Sequence, residues 1–432
     1  MEIDVAHALV RFGLGRKGAE PAPADPTAWL REQIEAPDPI RFPSLPDSAA
    51  CLTTLREERA MRRENPPAAS TRVRDLLRAE TSAQMQAAMA TEAPFRERLV
   101  WFWGNHFAVS LRHGGVAAVA GAYVREAIRP HVTGRFADML LAVMRHPAML
   151  IYLDNVGSVG PDSPAGLRMG RGLNENLARE CLELHTLGAD GGFTQADVTS
   201  FARILTGWSI DLQGPEPGFL FRAGAHEPGA QTLLGHRFEE GEAGGRAALA
   251  FLATHPATYR HLAGKLATHF IADTPPADAV DRIASRLADT GGDLGAAALA
   301  VVAERAAWQP LTKLRTPLDF VVACARALDL REETMPDVHA VLGGLGEPLW
   351  MPPLPNGWPD RAADWAAPEL LMRRIDWAHA VSGRAAGADP VQFADTTLGP
   401  LLRPETRAAM ERAGSRRDAI TLFLGSPEFQ RR

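Results

Sequence analysis

Cysteine is scarce in this chain. Only Cys51, Cys181 and Cys324 occur among 432 residues, and no two of them are spaced as CxxC. Structural zinc sites and disulfide frameworks both require paired cysteines at short spacings. The sequence therefore predicts neither kind of site.

Long apolar runs are also missing. No stretch approaches the roughly 18 consecutive apolar residues of a membrane-spanning helix. Residues 1–18 lack a basic region followed by an unbroken apolar run, the pattern of a signal peptide. We therefore expect no membrane span and a cytoplasmic location, with export alongside a partner left open.

The chain has no excess of positive charge. Its net charge is −6, 23% of its residues are charged and 46% are hydrophobic. This composition is typical of a soluble globular protein and does not favour a nucleic-acid partner. The common catalytic signatures are absent too, since there is no Walker loop, no GxGxxG after a strand, no GxSxG and no HExxH.

Helical periodicity dominates what is present, and clean alternating strands are hard to find. The sequence predicts an all-α fold, built as one large domain over residues 1–432 with Pro/Gly-rich loops at 36–48, 154–172, 211–236 and 343–360. A looser N-terminal subdomain over 1–92 stays open as an alternative. The loop at 211–236 is the best candidate for an excursion that contains a small β-hairpin. The predicted helices cover 3–12, 26–35, 49–63, 70–91, 94–108, 114–129, 133–144, 146–153, 174–187, 194–206, 243–253, 257–272, 277–289, 293–303, 315–328, 335–342, 367–386 and 416–423.

The most informative helix is the one predicted at 174–187. Asn174 is suited to cap its start and Gly188 to end it. Asn176, Glu180 and Glu183 form a polar stripe about 100° from an apolar seam on the same helix. Two carboxylates one turn apart could bind a metal, share a proton or pair with arginines.

The spacing within this helix favours ion pairs over a metal. Arg179 and Glu183 are four residues apart, so we expect an intrahelical ion pair. Glu180 would then face a neighbouring element, where Arg203 or Lys265 could complete a buried network. Ferritin-like sites use Glu-x-x-His, and the Glu-x-x-Glu spacing here does not match them.

Three further histidine-bearing segments are candidates. His106 falls on the aromatic, core-facing stripe of the helix at 94–108, so a hydrogen-bonded core histidine is favoured over a metal ligand or general base. His226 lies with Glu227 in the loop excursion. On the helix at 257–272, basic residues recur every four positions, and we expect a solvated surface there, with an anion-binding face as the alternative. That stripe contains His261, Lys265 and His269.

Dispersed motifs carry a resemblance to a known family. The chain resembles the bacterial domain-of-unknown-function family numbered eighteen hundred over nearly its whole length. The motifs are RFGLG at 11–15, FWGNHF at 102–107, NENLARECLELHTLG at 174–188, GGFTQADV at 191–198, ARILTGW at 202–208, His226 with Gly229 and LG at 234–235, HPAT at 255–258, KLRTP at 313–317, GWP at 357–359 and SPEF at 426–429.

The resemblance implies an all-helical fold and no known activity. It also implies a partner, because genes of this family often neighbour those of a second family, numbered fifteen hundred and one. That second family resembles alkaline phosphatases and sulfatases and often carries a twin-arginine export signal. Where the family usually shows His-Asp, this chain has His226 and Glu227, a departure that weakens a tightly constrained site there.

Two functional hypotheses emerge. The first is a metal-dependent enzyme with a His/Glu site in the helical core, whose cofactor would be a divalent transition metal. The catalytic candidates are His106, Glu180 and His226, and the metal-ligand candidates are His106, Glu180, Glu183 and His226. The residues expected to orient ligands or bind an anion are Asn174, Arg179, Arg203 and Lys265. The second hypothesis is a non-catalytic partner or maturation factor of the neighbouring phosphatase- or sulfatase-like protein.

Overall fold

The protein is described by a computed structural model over residues 1–64, 71–170, 172–330, 337–385 and 387–432. Helices dominate these residues, and none of the helices among them is both long and apolar enough to cross a membrane. The α-helices in this part are α1 (Ile3–His7), α2 (Pro26–Glu35), α3 (Ser48–Glu64), α4 (Arg72–Ala90), α5 (Pro94–His106), α6 (Val116–Tyr123), α7 (Phe136–Arg145), α8 (Pro147–Tyr152), α9 (Pro164–Met169), α10 (Asn176–Glu180) and α11 (Gln195–Leu205). They continue with α12 (Glu242–Ala253), α13 (Pro256–Phe270), α14 (Ala277–Asp289), α15 (Leu294–Ala303), α16 (Pro317–Ala327), α17 (Val338–Gly344), α18 (Ala362–Trp365), α19 (Pro368–Ser382), α20 (Pro390–Thr397), α21 (Pro404–Glu411) and α22 (Arg416–Leu424).

The predicted all-α class is confirmed, and most predicted helices lie within a few residues of the observed ones. Positions 70, 335, 336 and 386 of the predicted helices fall outside the described part. Four short helices were not predicted, and three of them begin at Pro164, Pro390 and Pro404. Proline at a first helical position loses no hydrogen bond, because the N–H groups there have no partner within the helix. The Pro/Gly-rich loop predicted at 154–172 therefore contains a helix that begins at Pro164.

The expected β excursion is present and holds two hairpins. The first pairs β1 (Trp208–Asp211) with β2 (Gly218–Phe221), and the second pairs β3 (Gln231–Leu233) with β4 (His236–Phe238). Leu234 and Gly235 link β3 to β4 with φ of 50° and 76°. Two left-handed residues match the twist of a tight antiparallel hairpin.

The helix predicted at 174–187 is not regular. Asn174 accepts the N–H of Asn176 at 2.9 Å near its start, and Gly188 comes after its end with φ of 83°. Between them, α10 passes into a π-helical turn over Cys181–His185. A π-turn inserts one extra residue, so the side chains after it are rotated about the helix axis relative to those before it. The polar stripe deduced from 3.6-residue spacing is therefore interrupted after Glu180.

The buried apolar residues form two large clusters. The larger one includes residues of α5–α8, α10–α15 and the hairpins, and the other surrounds α16, α19 and α22. The predicted N-terminal subdomain contributes to both, with Phe12 in the first and Val10 and Met85 in the second. The N-terminal helices are thus packed on both clusters.

A buried carboxylate lies where α5 meets α16. Asp319 is 2% exposed and accepts two hydrogen bonds from Arg98, at 3.0 and 3.1 Å. Arg432 and Arg315 lie 3.0 and 3.3 Å from the same carboxylate. Burial alone would raise the pKa of Asp319, but these guanidinium groups hold that pKa well below its usual range.

We expect the Asp319→Asn variant to be strongly destabilised, because Arg98 and Arg315 would lose their counter-charge and Arg432 would keep only Asp360. Removing one partner of a buried ion pair costs about 3–5 kcal/mol. Urea unfolding measures this free energy, and the control is Glu57→Gln, which breaks the exposed pair with Arg72. That control should lose less than about 1 kcal/mol. Equal losses in both variants would contradict the assignment.

Candidate functional site

A cavity of about 900 Å³ lies between α5, α13 and the segment 349–361. Its walls are largely aromatic and aliphatic. Trp101 and Phe102 of α5 face it from one side, and Trp350, Leu354 and Trp358 face it from the segment. Its polar lining includes the predicted site residues His106 and Lys265.

Asn105 attaches the segment 349–361 to α5. Its side-chain amide donates to the Trp358 carbonyl at 2.9 Å, and its carbonyl oxygen accepts the Trp358 N–H at 2.7 Å. Gly357 has φ of 78°, and a Cβ there would lie 2.4 Å from the backbone carbonyl oxygen of Asn105. The close approach of the segment to α5 therefore requires glycine at this position.

The basic stripe of α13 does not form a solvated surface. His261, Lys265 and His269 all line the cavity and are only partly exposed. The expectation of a solvated face was wrong, because the segment 349–361 lies over this side of α13. The alternative noted for the stripe, an anion-binding face, fits its position.

His261 has a defined tautomer. Its Nε2 donates to the Leu184 carbonyl at 2.9 Å, so the proton is on Nε2 and Nδ1 carries a lone pair. Nδ1 has no hydrogen-bond partner among the described residues. It lies beside Gly188, where an added Cβ would be 2.8 Å away. Burial lowers the pKa of His261, the hydrogen bond to Leu184 opposes this shift, and the charge of Lys265 adds to it.

His269 is oriented by Asp360. Its Nδ1 donates to the Asp360 carboxylate at 2.8 Å, and burial lowers the pKa of His269 to about 4 despite that carboxylate. Arg432 and Lys313 also lie within 3.2 and 3.6 Å of Asp360. Burial opposes ionisation of Asp360, but His269 and the two cations hold its pKa well below its usual range.

Lys265 is the unusual group of the cavity. The chain has three lysines, and Lys17 and Lys313 form ion pairs with Glu20 and Asp273. Lys265 makes no hydrogen bond or ion pair with any described residue. Burial lowers the pKa of Lys265, and only the charge of Asp360 opposes this shift.

His106 lines the cavity, and His185, which does not, lies next to it. His106 is 3% exposed and its Nε2 donates to the His185 carbonyl at 3.1 Å, as predicted for a hydrogen-bonded core histidine. Among the described residues, the buried Nδ1 of His106 and both buried ring nitrogens of His185 have no hydrogen-bond partner. Burial lowers the pKa of His106 well below its usual value and that of His185 to about 3.

Glu347 adds a buried carboxyl to the cavity lining. It is 6% exposed and accepts the Leu318 N–H at 2.7 Å. Burial raises the pKa of Glu347 to about 7. This residue was not predicted, since a single glutamate between glycine and proline gives no periodic signal.

His226 lies in the hairpin region and does not line the cavity. Its Nδ1 donates to the Thr206 carbonyl at 2.8 Å, and its Nε2 accepts the Gly241 N–H at 2.7 Å. Both ring nitrogens are therefore occupied by the backbone. Glu227 lies 3.7 Å from Arg203 and accepts the Asp162 N–H at 3.0 Å. His226 and Glu227 therefore connect their own loop to the backbone at Thr206, Gly241 and Asp162.

The carboxylates of the 174–187 segment have different partners from those expected. Arg179 pairs with Glu175 at 2.8 Å, so the predicted Arg179–Glu183 pair is wrong. Glu180 and Glu183 form no ion pair or hydrogen bond with the described residues, so the predicted network with Arg203 or Lys265 is wrong too. Burial, and then the charge of Glu183, raise the pKa of Glu180.

The predicted metal ligands do not form a ligand set. Within the described ranges, no three His, Cys, Asp or Glu side chains are placed to hold one ion. Of the four predicted ligands, only His106 lines the cavity, while Glu180, Glu183 and His226 are absent from its lining. The π-turn after Glu180 and the backbone bonds of His226 explain why these side chains do not converge.

The cavity residues that sequence reasoning missed are mainly Asp360 and Trp350. His261 and His269 were named in the basic stripe, whose anion-binding alternative fits basic residues spaced four apart beside an apolar helix face. Asp360 comes directly after the GWP motif. The sequence predicted only a Pro/Gly-rich loop at 343–360, but Trp350 and Trp358 of that loop line the cavity.

A family model described as "Protein of unknown function (DUF1800)" matches residues 7–431. The match covers nearly the whole chain and confirms the resemblance carried by the dispersed motifs. No curated protein and no solved structure matches the chain.

We expect the protein to lose stability as the pH falls below 6.5. A buried histidine with a lowered pKa binds fewer protons in the folded than in the unfolded chain, so acid favours unfolding. The contribution of each histidine to the free energy of unfolding is fully present above its pKa in the unfolded chain. It falls as the pH drops towards the pKa in the folded protein, which is about 3 for His185 and about 4 for His269. From pH 7 to 5.5, each such histidine should remove about 1 kcal/mol.

Urea unfolding at several pH values measures this dependence. In His185→Phe, the decline between pH 7 and 5.5 should shrink by about 1 kcal/mol, because one buried titrating group is gone. His236→Gln, at an exposed position of β4, should keep the full decline. An unchanged pH dependence in His185→Phe would show that His185 is not held neutral by burial.

Proposed function

Because the chain belongs to the DUF1800 family, whose description assigns no activity, we propose a function from the cavity. The cavity binds an organic carboxylate with an apolar body. The carboxylate pairs with Lys265 beside His261, and the apolar part lies against Trp101, Phe102 and Trp350.

The observation that carries this proposal is the unpaired ammonium group of Lys265. A partly buried cation without a partner is unfavourable unless something neutralises it or its pKa falls. Every other lysine of the chain has a carboxylate partner. A bound carboxylate would supply the missing counter-charge and the hydrogen bonds that no described residue provides.

The walls of the cavity support an apolar body for this ligand. Sites for small molecules are typically concave spaces of roughly 300–1,000 Å³ with apolar and aromatic walls and few polar groups. The cavity, at about 900 Å³, is at the upper end of that range. Trp350 also has φ of 53°, a conformation that costs a non-glycine residue about 1–3 kcal/mol and is concentrated at functional sites.

The hypotheses drawn from the sequence change accordingly. The first hypothesis was a metal-dependent reaction at His106, Glu180, Glu183 and His226. Among the described residues, these side chains do not come together as a set of metal ligands. The role as partner or maturation factor of a phosphatase- or sulfatase-like protein stays a prediction. The cavity favours a small molecule, since His261, Lys265 and His269 line it and are only partly exposed.

We expect octanoate and 2-naphthoate to bind, and 1-octanol to bind more weakly because it cannot neutralise Lys265. Isothermal titration calorimetry measures each dissociation constant. Lys265→Met should weaken octanoate binding tenfold to a hundredfold, since a hydrogen bond to a charged group contributes about 1.5–3 kcal/mol. Octanol binding should change little in this variant.

Lys17→Met is the matched control, because it removes an ammonium group that pairs with Glu20 away from the cavity. It should bind octanoate like the unmodified protein. Equal octanoate affinity in Lys265→Met and the unmodified protein would overturn the proposal.

A further inference from the structure

We infer that the cavity hydrolyses carboxylic esters with apolar acyl groups, with His261 as the general base and Lys265 as the group that stabilises the oxyanion. The inference rests on the proposed function, because the carboxylate bound there would be the acid product of this reaction. Four features carry it: a fixed imidazole, an adjacent cation, an apolar acyl site and the lack of a serine or cysteine nucleophile among the described lining residues.

The imidazole of His261 is held in the form that a base requires. The Leu184 carbonyl accepts its Nε2–H at 2.9 Å, which leaves the Nδ1 lone pair as the only proton acceptor on the ring. This is the same logic by which a third group orients the base in catalytic triads. Gly188 keeps the space beside Nδ1 free of a side chain, since a Cβ there would lie 2.8 Å from it.

The surroundings of His261 keep the ring neutral. Burial and the charge of Lys265 both disfavour the imidazolium, and the pKa of His261 is lowered as a result. A base must be unprotonated before it can accept a proton, so the ring is ready at neutral pH. His106 and His185 are buried nearby without charge, and they do not supply a competing cation.

Lys265 is placed one helical turn from His261. Residues four apart on a helix have Cβ atoms about 5–6 Å apart on the same face. Both side chains line the cavity, and the charge of Lys265 helps to lower the pKa of His261, so the two groups lie within electrostatic reach of each other. A cation in a largely apolar space stabilises developing negative charge more than it would in water.

The attacking group in this reaction is water. The described residues that line the cavity include no serine and no cysteine, and its two threonines, Thr268 and Thr316, form no hydrogen bond with His261. The hydroxyl of Tyr123 donates to the Phe107 carbonyl at 2.8 Å, and burial raises its pKa well above the usual value, so it is not a nucleophile.

The step balances as a simple hydrolysis. The His261 Nδ1 takes a proton from water while the water oxygen forms a bond to the ester carbonyl carbon. The carbonyl electron pair moves to its oxygen, beside the Lys265 ammonium group. When the carbonyl reforms, the bond to the alkoxy oxygen breaks, and the leaving oxygen takes the proton from Nδ1. One ester and one water give one carboxylic acid and one alcohol.

The test uses 4-nitrophenyl octanoate, whose acid product is the octanoate of the binding experiment. The full chain should release 4-nitrophenolate above the buffer rate. His261→Gln keeps a donor for the Leu184 carbonyl but has no base, so kcat should fall at least a hundredfold with little change in KM. His236→Gln is the matched control and should keep the full rate.

The pH profile separates a base from a merely structural residue. In the unmodified protein, kcat/KM should rise with pH through a pKa below 6.5 and fall again as Lys265 deprotonates below its usual 10.5. His261→Gln should lose the acidic limb. His261→Asn serves as a second variant, and octanoate binding by each variant shows that its cavity is folded.

Different experimental results would overturn the hydrolytic inference and the binding proposal. If octanoate binds through Lys265 but ester turnover does not exceed the buffer rate, or is unchanged in a folded His261 variant, the hydrolytic inference is overturned and the binding proposal stands. If octanoate does not bind to the unmodified protein, both are overturned.

Discussion

Two carboxylates, the buried Asp319 and the partly buried Asp360, organise the centre of this protein. Asp319 of α16 forms ion pairs with the guanidinium groups of Arg98, Arg315 and Arg432. Asp360 binds His269 and lies close to Lys313 and to the same Arg432. Buried charges are tolerated only when they are paired, so these carboxylates set the relative positions of α5, α13, α16 and the segment 349–361. The cavity exists because those four elements are held around it.

This arrangement also explains why Lys265 differs from its neighbours. Asp319 and Asp360, two of the acidic residues that line the cavity, are already shared among arginines, Lys313 and His269. Lys265 has no ion pair with the described residues, and the neutral imidazole of His261, held by the Leu184 carbonyl, is one turn away. Both proposals derive from these two groups: an ammonium group with no ion pair among the described residues, and a neutral imidazole whose Nδ1 can accept a proton.

Much of the fold was predictable because helices are local. The spacing of apolar residues located α2 and α14 to the residue and most other helices to within a few. The site was less predictable. His106 was recognised as buried, but His226 and Glu180 were assigned to the same site because their surrounding sequences are distinctive. His226 instead bonds the backbone at Thr206 and Gly241, and a π-turn that no spacing rule reveals comes after Glu180.

The sequence by itself determined the helical class, the hairpin excursion and the family, since each depends on patterns read within short segments or on motifs taken in order. Only the tertiary structure decided which polar residues meet. His261 and Lys265 have the same spacing whether their helix face is covered or open to water. The segment 349–361 covers it, through Asn105, Gly357 and Asp360, and those contacts join residues far apart in the chain. Such pairings depend on how complete elements pack, and local periodicity carries no information about them.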